Sequence, residues 1–174
     1  MQQKTHCPYC GTRLEDRFVE GRTRRYCASC NEPIYENPVP ATCLVVVDPA
    51  DRILLVKRNV PPKIGHWCLP GGFVEVDEAP EAAALRELKE EAGLNAEIDA
   101  LLGVRSHTSA FFGCVIIIGY LVKTFSGVPT PGDDASDALF FDPSEMPDIA
   151  FNTHASLIAA YQSRSGDQTW PCTG

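Results

Sequence analysis

The chain has 174 residues, 44% of them hydrophobic, and 15 Lys and Arg against 23 Asp and Glu give a formal net charge of −8. That length accommodates one compact domain with a small accessory module, and the apolar content suffices for a buried core. The acidic balance argues against broad charge-driven binding to nucleic acid or an anionic membrane, and a negatively charged substrate would need cations as intermediaries.

The charge is uneven: residues 1–36 carry six basic and five acidic side chains, residues 37–174 nine and eighteen. The N-terminus, MQQKTHCPYC, has no apolar run ahead of its cysteines, so no secretory leader is expected. The longest apolar stretch, CVIIIGYLV at 114–122, is far short of a membrane span. The expected compartment is a reducing cytoplasm, where regularly spaced cysteines read as metal ligands before they read as disulfides.

Residues 1–36 form a separate small module. Cys7-Pro-Tyr-Cys10 and Cys27-Ala-Ser-Cys30 are two CxxC knuckles with 16 residues between them, and the alternating polar segment GTRLEDRFVEGRTRRY suits a hairpin. So short a module cannot bury enough apolar surface alone, and four thiolates around one structural Zn²⁺ supply the missing stabilisation. NPVP at 37–40 reads as an extended linker into a second domain, 37–165, with 166–174 expected to be a flexible tail.

In the second domain, ATCLVVVDP and RILLVKR read as a hairpin around Pro49-Ala50-Asp51, and HWCLPGGFVE as a strand pair with a glycine corner. Residues 79–92 read as a helix, with Pro80 in its first turn and Gly93 at its end. AEIDALLGVRSH and FFGCVIIIGYLVKTF are strand-like, GVPTPGDDASD is a loop, ALFFDP a short strand and NTHASLIAAYQSR a final amphipathic helix. Cys43, Cys68, Cys114 and Cys172 lack partners at ligand spacing, and the first three lie in strand-like runs where cysteine serves as a small buried hydrophobe.

The helix at 79–92 raises the chemical question. Glu87, Glu90 and Glu91 fall within an arc of about 100° on one face. Ala83 and Ala84 are expected to leave space beside them, while Leu85, Leu88 and Ala92 pack on a sheet. A merely solvated acidic face would interleave lysines at i+4, and the one nearby, Lys89, points away. Clustered carboxylates of this kind call for hard divalent cations, Mg²⁺ or Mn²⁺.

Gly72, five residues, Glu78, seven residues, then Arg86-Glu87-Leu88-Lys89-Glu90-Glu91-Ala92-Gly93-Leu94 resembles the complete Nudix box. The resemblance implies an α/β fold, an α/β/α sandwich on a mixed sheet, and hydrolysis of a nucleoside diphosphate linked to another moiety. Two or three Mg²⁺ held by Glu87, Glu90 and Glu91 would neutralise the pyrophosphate and acidify a water. By the same analogy the Gly71 carbonyl completes the coordination, Glu75 or Glu78 joins the metal shell or braces the loop, and Arg86 orients Glu87. Glu90 or Glu91 is the expected general base. Asp133, Asp134 and Asp137 are candidates for a further acid on a downstream loop, or ordinary polar turn residues. Asp77 stands where many relatives carry glycine, so the turn before Glu78 must avoid positive φ or Asp77 must tolerate it.

A zinc ribbon ahead of a Nudix domain resembles the NADH pyrophosphatase group and, more closely, a shorter branch that includes FAD pyrophosphatases; YENP, Lys57-Arg58-Asn59 and GHWCLPGGFVEVDE carry that likeness. The NADH enzymes have a proline- and tryptophan-rich segment after the box where this chain reads GVRSHTSAFFG, which weakens NADH as the main substrate. FAD, NAD(H) and ADP-ribose are the expected substrates. Phe111 and Phe112 stack on a base or pack in the core, Trp67 belongs rather to the core, and Arg58, Arg105 and His107 are candidate phosphate contacts. A homodimer is expected from the architecture. Rival readings are a non-catalytic nucleotide sensor or nucleic-acid-binding regulator, kept open by Arg22, Arg24 and Arg25 in the ribbon, and hydrolysis of a dinucleotide cap on RNA.

Overall fold

The structure, a computed structural model, describes residues 4–165. Cys172 and the expected tail at 166–174 lie outside the described residues. The chain divides into two compact units, one running to Val39 and taking in Thr108–Cys114, the other comprising Pro40–His107 and the residues from Val115 on.

In the first unit β1 (Glu15–Val19), β2 (Arg22–Cys27) and β3 (Glu32–Ile34) make an antiparallel sheet with β2 in the middle. The expected hairpin is β1–β2. Its two-residue turn, Glu20 and Gly21, has φ of 52° and 79°, the doubly positive pattern whose twist matches that of paired strands. The buried cluster is Cys7, Leu14, Cys27 and Ile34, with Cys30 against them, and Tyr26 is buried as well. Two of the cluster's four residues are cysteines, so this module has a very small apolar core of its own.

The chain continues with β4 (Val39–Val46), β5 (Ile53–Arg58), β6 (Trp67–Cys68), α1 (Pro80–Ala92), β7 (Asn95–Glu97), β8 (Ala100–Ser109), β9 (Gly113–Val122), β10 (Thr124–Ser126), β11 (Ala135–Phe141) and α2 (Asn152–Ser165), all in the second unit but for Val39 and the end of the β8–β9 hairpin. The strands pair in the orders β4-β9-β8, β11-β5-β6 and β10-β7. Antiparallel β5–β11 and β5–β6 pairs coexist with a parallel bridge from Trp67 to Ile149, so the sheet is mixed.

Strand alternation shows how the layers stack. Cys43, Val45, Ile53, Leu55, Val115, Ile117 and Leu121 pack with Leu157, Ile158 and Tyr161 of α2. Their sequence neighbours Leu44, Val46, Leu54, Val56, Tyr120 and Val122 pack with Ala84, Leu88 and Ala92 of α1. Adjacent strand residues face opposite sides, so the sheet lies between the two helices, the α/β/α sandwich that the resemblance implies. On α2 the buried positions 154, 157, 158 and 161 follow the i, i+3, i+4, i+7 spacing of a one-faced helix.

Several local expectations need correction. The β4–β5 segment closes in a tight turn, with Asp48 N–H bonded to the Arg52 carbonyl at 3.0 Å, but it pairs only through the bridge Val47–Ile53 before the strands enter different sheets. Both strands are buried on both faces and are needed by different neighbours. HWCLPGGFVE yields only the short β6 and a bridge between Ala41 and Phe73. Ala83 and Ala84 leave no space, being fully buried, with Ala84 in the core beside Leu88; Leu85 is only half-buried. Cys43 and Cys68 are buried, but Cys114 is exposed, because β9 begins on the solvated end of its hairpin.

Candidate functional site

Helix α1 positions the glutamates. Its N-terminus starts at Pro80, and Gly93 ends it in the left-handed region with its N–H bonded to the Lys89 carbonyl at 3.0 Å. Glu91 is buried at 7% exposure, Glu87 is half-buried and Glu90 is exposed. The segment Pro70–Gly72 lies against this face, held on β4 by Leu44 N–H to Pro70 O (3.0 Å) and Thr42 N–H to Gly72 O (2.8 Å). Gly71 N–H donates to Glu91 Oε2 at 2.9 Å. A Cβ on Gly72 would fall inside the Glu87 carboxylate, so glycine there is a requirement of the glutamate's position.

One guanidinium ties the acids together. Arg86 forks onto Glu78 (Nη2–Oε1 2.7 Å, Nε–Oε2 3.1 Å), and its Nη1 reaches Glu87 Oε1 at 2.8 Å and Glu90 Oε2 at 2.9 Å. Glu78 also accepts the Glu75 N–H at 2.9 Å. Glu78 therefore braces the loop, and the Arg86 bond holds its carboxyl below the usual range. The turn before it is unstrained, since Asp77 is not among the residues with positive φ.

A loop completes the site by satisfying helix-end carbonyls. Thr130 N–H donates to Ala92 O (2.9 Å) and Gly132 N–H to Glu91 O (3.3 Å), groups an α-helix leaves without internal partners. That docking brings Asp133 and Asp134 to α1; Asn59 N–H anchors the other side on the Asp134 carbonyl at 2.7 Å. Glu87, Glu90, Glu91, Asp133 and Asp134 line one cavity of about 410 Å³. Burial pushes the Glu91 carboxyl up to about 7, with Glu87 and Asp134 adding to the shift and the Gly71 amide and Arg58 opposing it. Burial also raises Glu87, outweighing the pull of Arg86. Five carboxylates line this one cavity, offering oxygen donors of the kind hard divalent cations take, with Arg86 bonded to two of them.

The other candidate residues are placed as follows. Glu75 is exposed and does not line the cavity. Asp137 lies on β11 and its carboxylate accepts the Ala138 N–H, so of the three aspartates only Asp133 and Asp134 reach the glutamates. Arg58 donates to the carbonyls of Pro62 (2.7 Å), Pro61 (3.3 Å) and Val60 (3.4 Å) and stacks 5.4 Å from the Phe151 ring, clamping a loop. Arg105 bonds Ser156 Oγ at 2.8 Å. Trp67 packs edge-on against Phe141 at 4.8 Å, on the core. Phe111 and Phe112 are exposed at the β8–β9 turn, where Ser109 Oγ accepts both their amides. Gly132, passed over in the sequence, matters because a Cβ there would meet the Glu90 carbonyl; the signal was a glycine immediately before paired aspartates.

In the first unit the thiols of Cys7, Cys10, Cys27 and Cys30 lie within 4.8 Å of one another, with Cys7–Cys30 at 3.9 Å and Cys10–Cys27 at 3.4 Å. Tetrahedral Zn²⁺ with Zn–S of about 2.3 Å would set the sulfurs ~3.8 Å apart, whereas a disulfide needs about 2.05 Å. The four cysteines thus fit a metal and are not bonded to one another. Hydrogen bonding with Thr12 lowers Cys10 to about 6, while its bonds with Cys10 and Cys27 raise Cys30 to about 12.

Comparison with known proteins adds three findings. The NUDIX domain family model matches residues 37–161. The chain is 41% identical over 117 residues to an ADP-ribose pyrophosphatase of Methanocaldococcus jannaschii, covering 67% of this chain and 69% of that one; it is 27% identical over 150 residues to the NAD-capped RNA hydrolase NudC of Vibrio atlanticus, covering 86% of this chain but only 53% of that protein. Among solved structures, a NUDIX hydrolase from Nitrosomonas europaea superposes with a TM-score of 0.80 at 28% identity, covering 95% of this chain and 94% of that one.

Proposed function

The chain belongs to the NUDIX family of hydrolases, and on that premise we propose that it is a divalent-cation-dependent pyrophosphohydrolase of the branch with an N-terminal zinc ribbon. Its substrate is a nucleoside diphosphate derivative, ADP-ribose or a dinucleotide such as NAD(H) or FAD, and its products are two phosphate monoesters. The observation that carries this reading is the convergence of Glu87, Glu90, Glu91, Asp133 and Asp134 on one cavity. The relatives named for ADP-ribose and for NAD-capped RNA support the substrate class. Zinc-ready thiols are in keeping with a reducing cytoplasm, and no described helix is long and apolar enough to cross a membrane.

Bound Mg²⁺ or Mn²⁺ would neutralise the pyrophosphate oxygens and acidify a water. Glu87, Glu90 and Glu91 would hold these ions, and the Gly71 carbonyl would be a further oxygen donor. Arg86 keeps Glu87 and Glu90 at fixed spacing through its two Nη1 bonds. The water oxygen forms a bond to one phosphorus as the bridging P–O bond breaks, and the water's proton passes to Glu90 or Glu91. Asp133 and Asp134 extend the carboxylate set on the far wall.

A second reading places the dinucleotide at the 5′ end of an RNA, following the NudC match. The ribbon offers it limited support: Arg17 pairs with Glu15, Arg24 with Glu20 and Arg25 with Asp16, so half of its six basic side chains are paired locally. The test is a panel of ADP-ribose, NAD, NADH, FAD, CoA and NAD-capped RNA under Mg²⁺ or Mn²⁺, ranked by kcat/KM. Dinucleotide turnover that falls by several orders of magnitude in Glu90→Gln or Glu91→Gln is expected. Absence of turnover across the panel would sink the reading, and near-normal turnover in either variant would remove that residue from the catalytic set.

A further inference from the structure

Among the described residues three polar or charged side chains are buried: Thr42, Glu91 and His154. All three belong to residues bonded to the same turn, Leu69–Gly72. Thr42 gives its amide to Gly72 O, Glu91 accepts the Gly71 N–H, and His154 Nδ1 accepts the Leu69 N–H at 3.2 Å. Glu91 belongs to the carboxylate site and Thr42 contributes its backbone. His154 has no part in the chemistry described so far, and it is 85 residues from Leu69 in sequence.

The two amides of this turn are held from opposite layers. Leu69 is fully buried, so its N–H must find an acceptor within the protein, and the one it finds is on α2. Gly71, two residues later, donates to α1 across the sheet. The imidazole is fixed by its neighbours: its ring lies 5.1 Å from Phe151, which is stacked in turn by Arg58. Accepting at Nδ1 requires the unprotonated ring with its proton on Nε2. Burial holds the His154 pKa down at about 4, with Arg58 of β5 and His107 of β8 pushing the same way, so the acceptor form prevails at neutral pH.

We infer that His154 is a positioning residue for the glutamate site: by accepting the Leu69 amide it fixes the Leu69–Gly72 turn, and the Gly71 amide of that turn sets the Glu91 carboxylate. The inference rests on the hydrolase reading for its catalytic consequence, while the brace itself is a property of the chain without metal. A core histidine that merely satisfied one amide would affect stability alone. A positioning histidine affects divalent-ion affinity and kcat out of proportion to stability, because the group it aims is a ligand.

The test compares the zinc-loaded full chain as wild type, His154→Phe, His154→Asn and His154→Gln. Asparagine can place its Oδ1 where Nδ1 sits; glutamine reaches instead to the position of Nε2; phenylalanine keeps the bulk and loses the acceptor. Three quantities are read: Mn²⁺ affinity by electron paramagnetic resonance, kcat and KM on ADP-ribose, and hydrogen exchange of the Leu69 and Gly71 amides without Mn²⁺. His154→Phe is expected to weaken Mn²⁺ binding and lower kcat by about 10- to 100-fold, the range typical of residues that orient metal ligands. KM should stay near its wild-type value, Gly71 exchange should quicken, and His154→Asn should recover most of the loss while His154→Gln does not. Wild-type Mn²⁺ affinity in His154→Phe, or equal behaviour of Asn and Gln, overturns the proposal. If His154→Phe does not fold, the Asn–Gln comparison decides alone. If the wild type neither binds Mn²⁺ nor hydrolyses the substrate, yet Gly71 exchange follows the acceptor at 154, the brace stands and the hydrolase reading falls.

Discussion

Glu91 is held by two opposing influences: burial favours its neutral form, and the Gly71 amide favours its carboxylate. With a folded pKa near 7 against an ordinary 4.5, the folded chain keeps this proton over a range where the unfolded chain has released it. Stability therefore falls as pH rises from about 4.5 to about 7, and the full penalty persists above that window. In protein free of Mg²⁺ and Mn²⁺, Glu91→Gln should be more stable than wild type at pH 8, by on the order of 1–3 kcal/mol, and the two should converge near pH 4.5. Adding Mn²⁺ at pH 8 should reverse the order, because only the carboxylate offers a ligand. Calorimetric Tm values across pH 4.5–8 check this; a Tm offset independent of pH would show that Glu91 is not strained by burial.

At the scale of elements, the site belongs to α1 and the segments at its flanks. The Gly71–Gly72 turn sets Glu87 and Glu91 from the side, and the loop around Gly132 closes over the helix C-terminus. The second contact is steric as well as polar, since a Cβ on Gly132 would stand 2.5 Å from the Glu90 carbonyl oxygen. Gly132→Ala should lift the loop and lose its bond to Glu91 O. The expected cost is about 1–3 kcal/mol of stability, and Asp133 and Asp134 would be drawn off the cavity. Mn²⁺ titration and Tm measure the two effects separately. Wild-type Mn²⁺ affinity in this variant would mean that the aspartates contribute nothing to cation binding.

At the scale of the whole molecule, two units are stabilised by different means. The sandwich buries both faces of its strands. The N-terminal unit has a small buried cluster that includes two of its four gathered cysteines, so a metal held by those thiols would couple binding to folding there. Elemental analysis should find one zinc per chain. Removing it with a chelator should expose Cys7, Cys10, Cys27 and Cys30 to thiol reagents and abolish amide protection in β1–β3, while α1 and α2 keep theirs. Survival of that protection in zinc-free protein would count against a structural metal.

The sequence by itself was enough to mark the helix, its acidic face and the family through the box from Gly72 to Leu94, and to mark a four-cysteine cluster through two CxxC pairs. These are local signals, because helical spacing brings Glu87, Glu90 and Glu91 onto one face wherever the helix goes. It also made the α/β/α class legible through resemblance, which the packing of Leu88 and Leu157 on opposite faces of the sheet bears out. Tertiary structure alone decided what depends on distant segments meeting. It brought Asp133 and Asp134 but not Asp137 to the glutamate cavity, set Arg58 on the carbonyls of Pro61 and Pro62, split an apparent hairpin between two sheets, and set His154 against Leu69. No periodicity encodes those outcomes: the docking of the Asp133–Asp134 loop and of His154 arises where unpaired backbone groups at a helix end or a buried turn find partners far away in the chain.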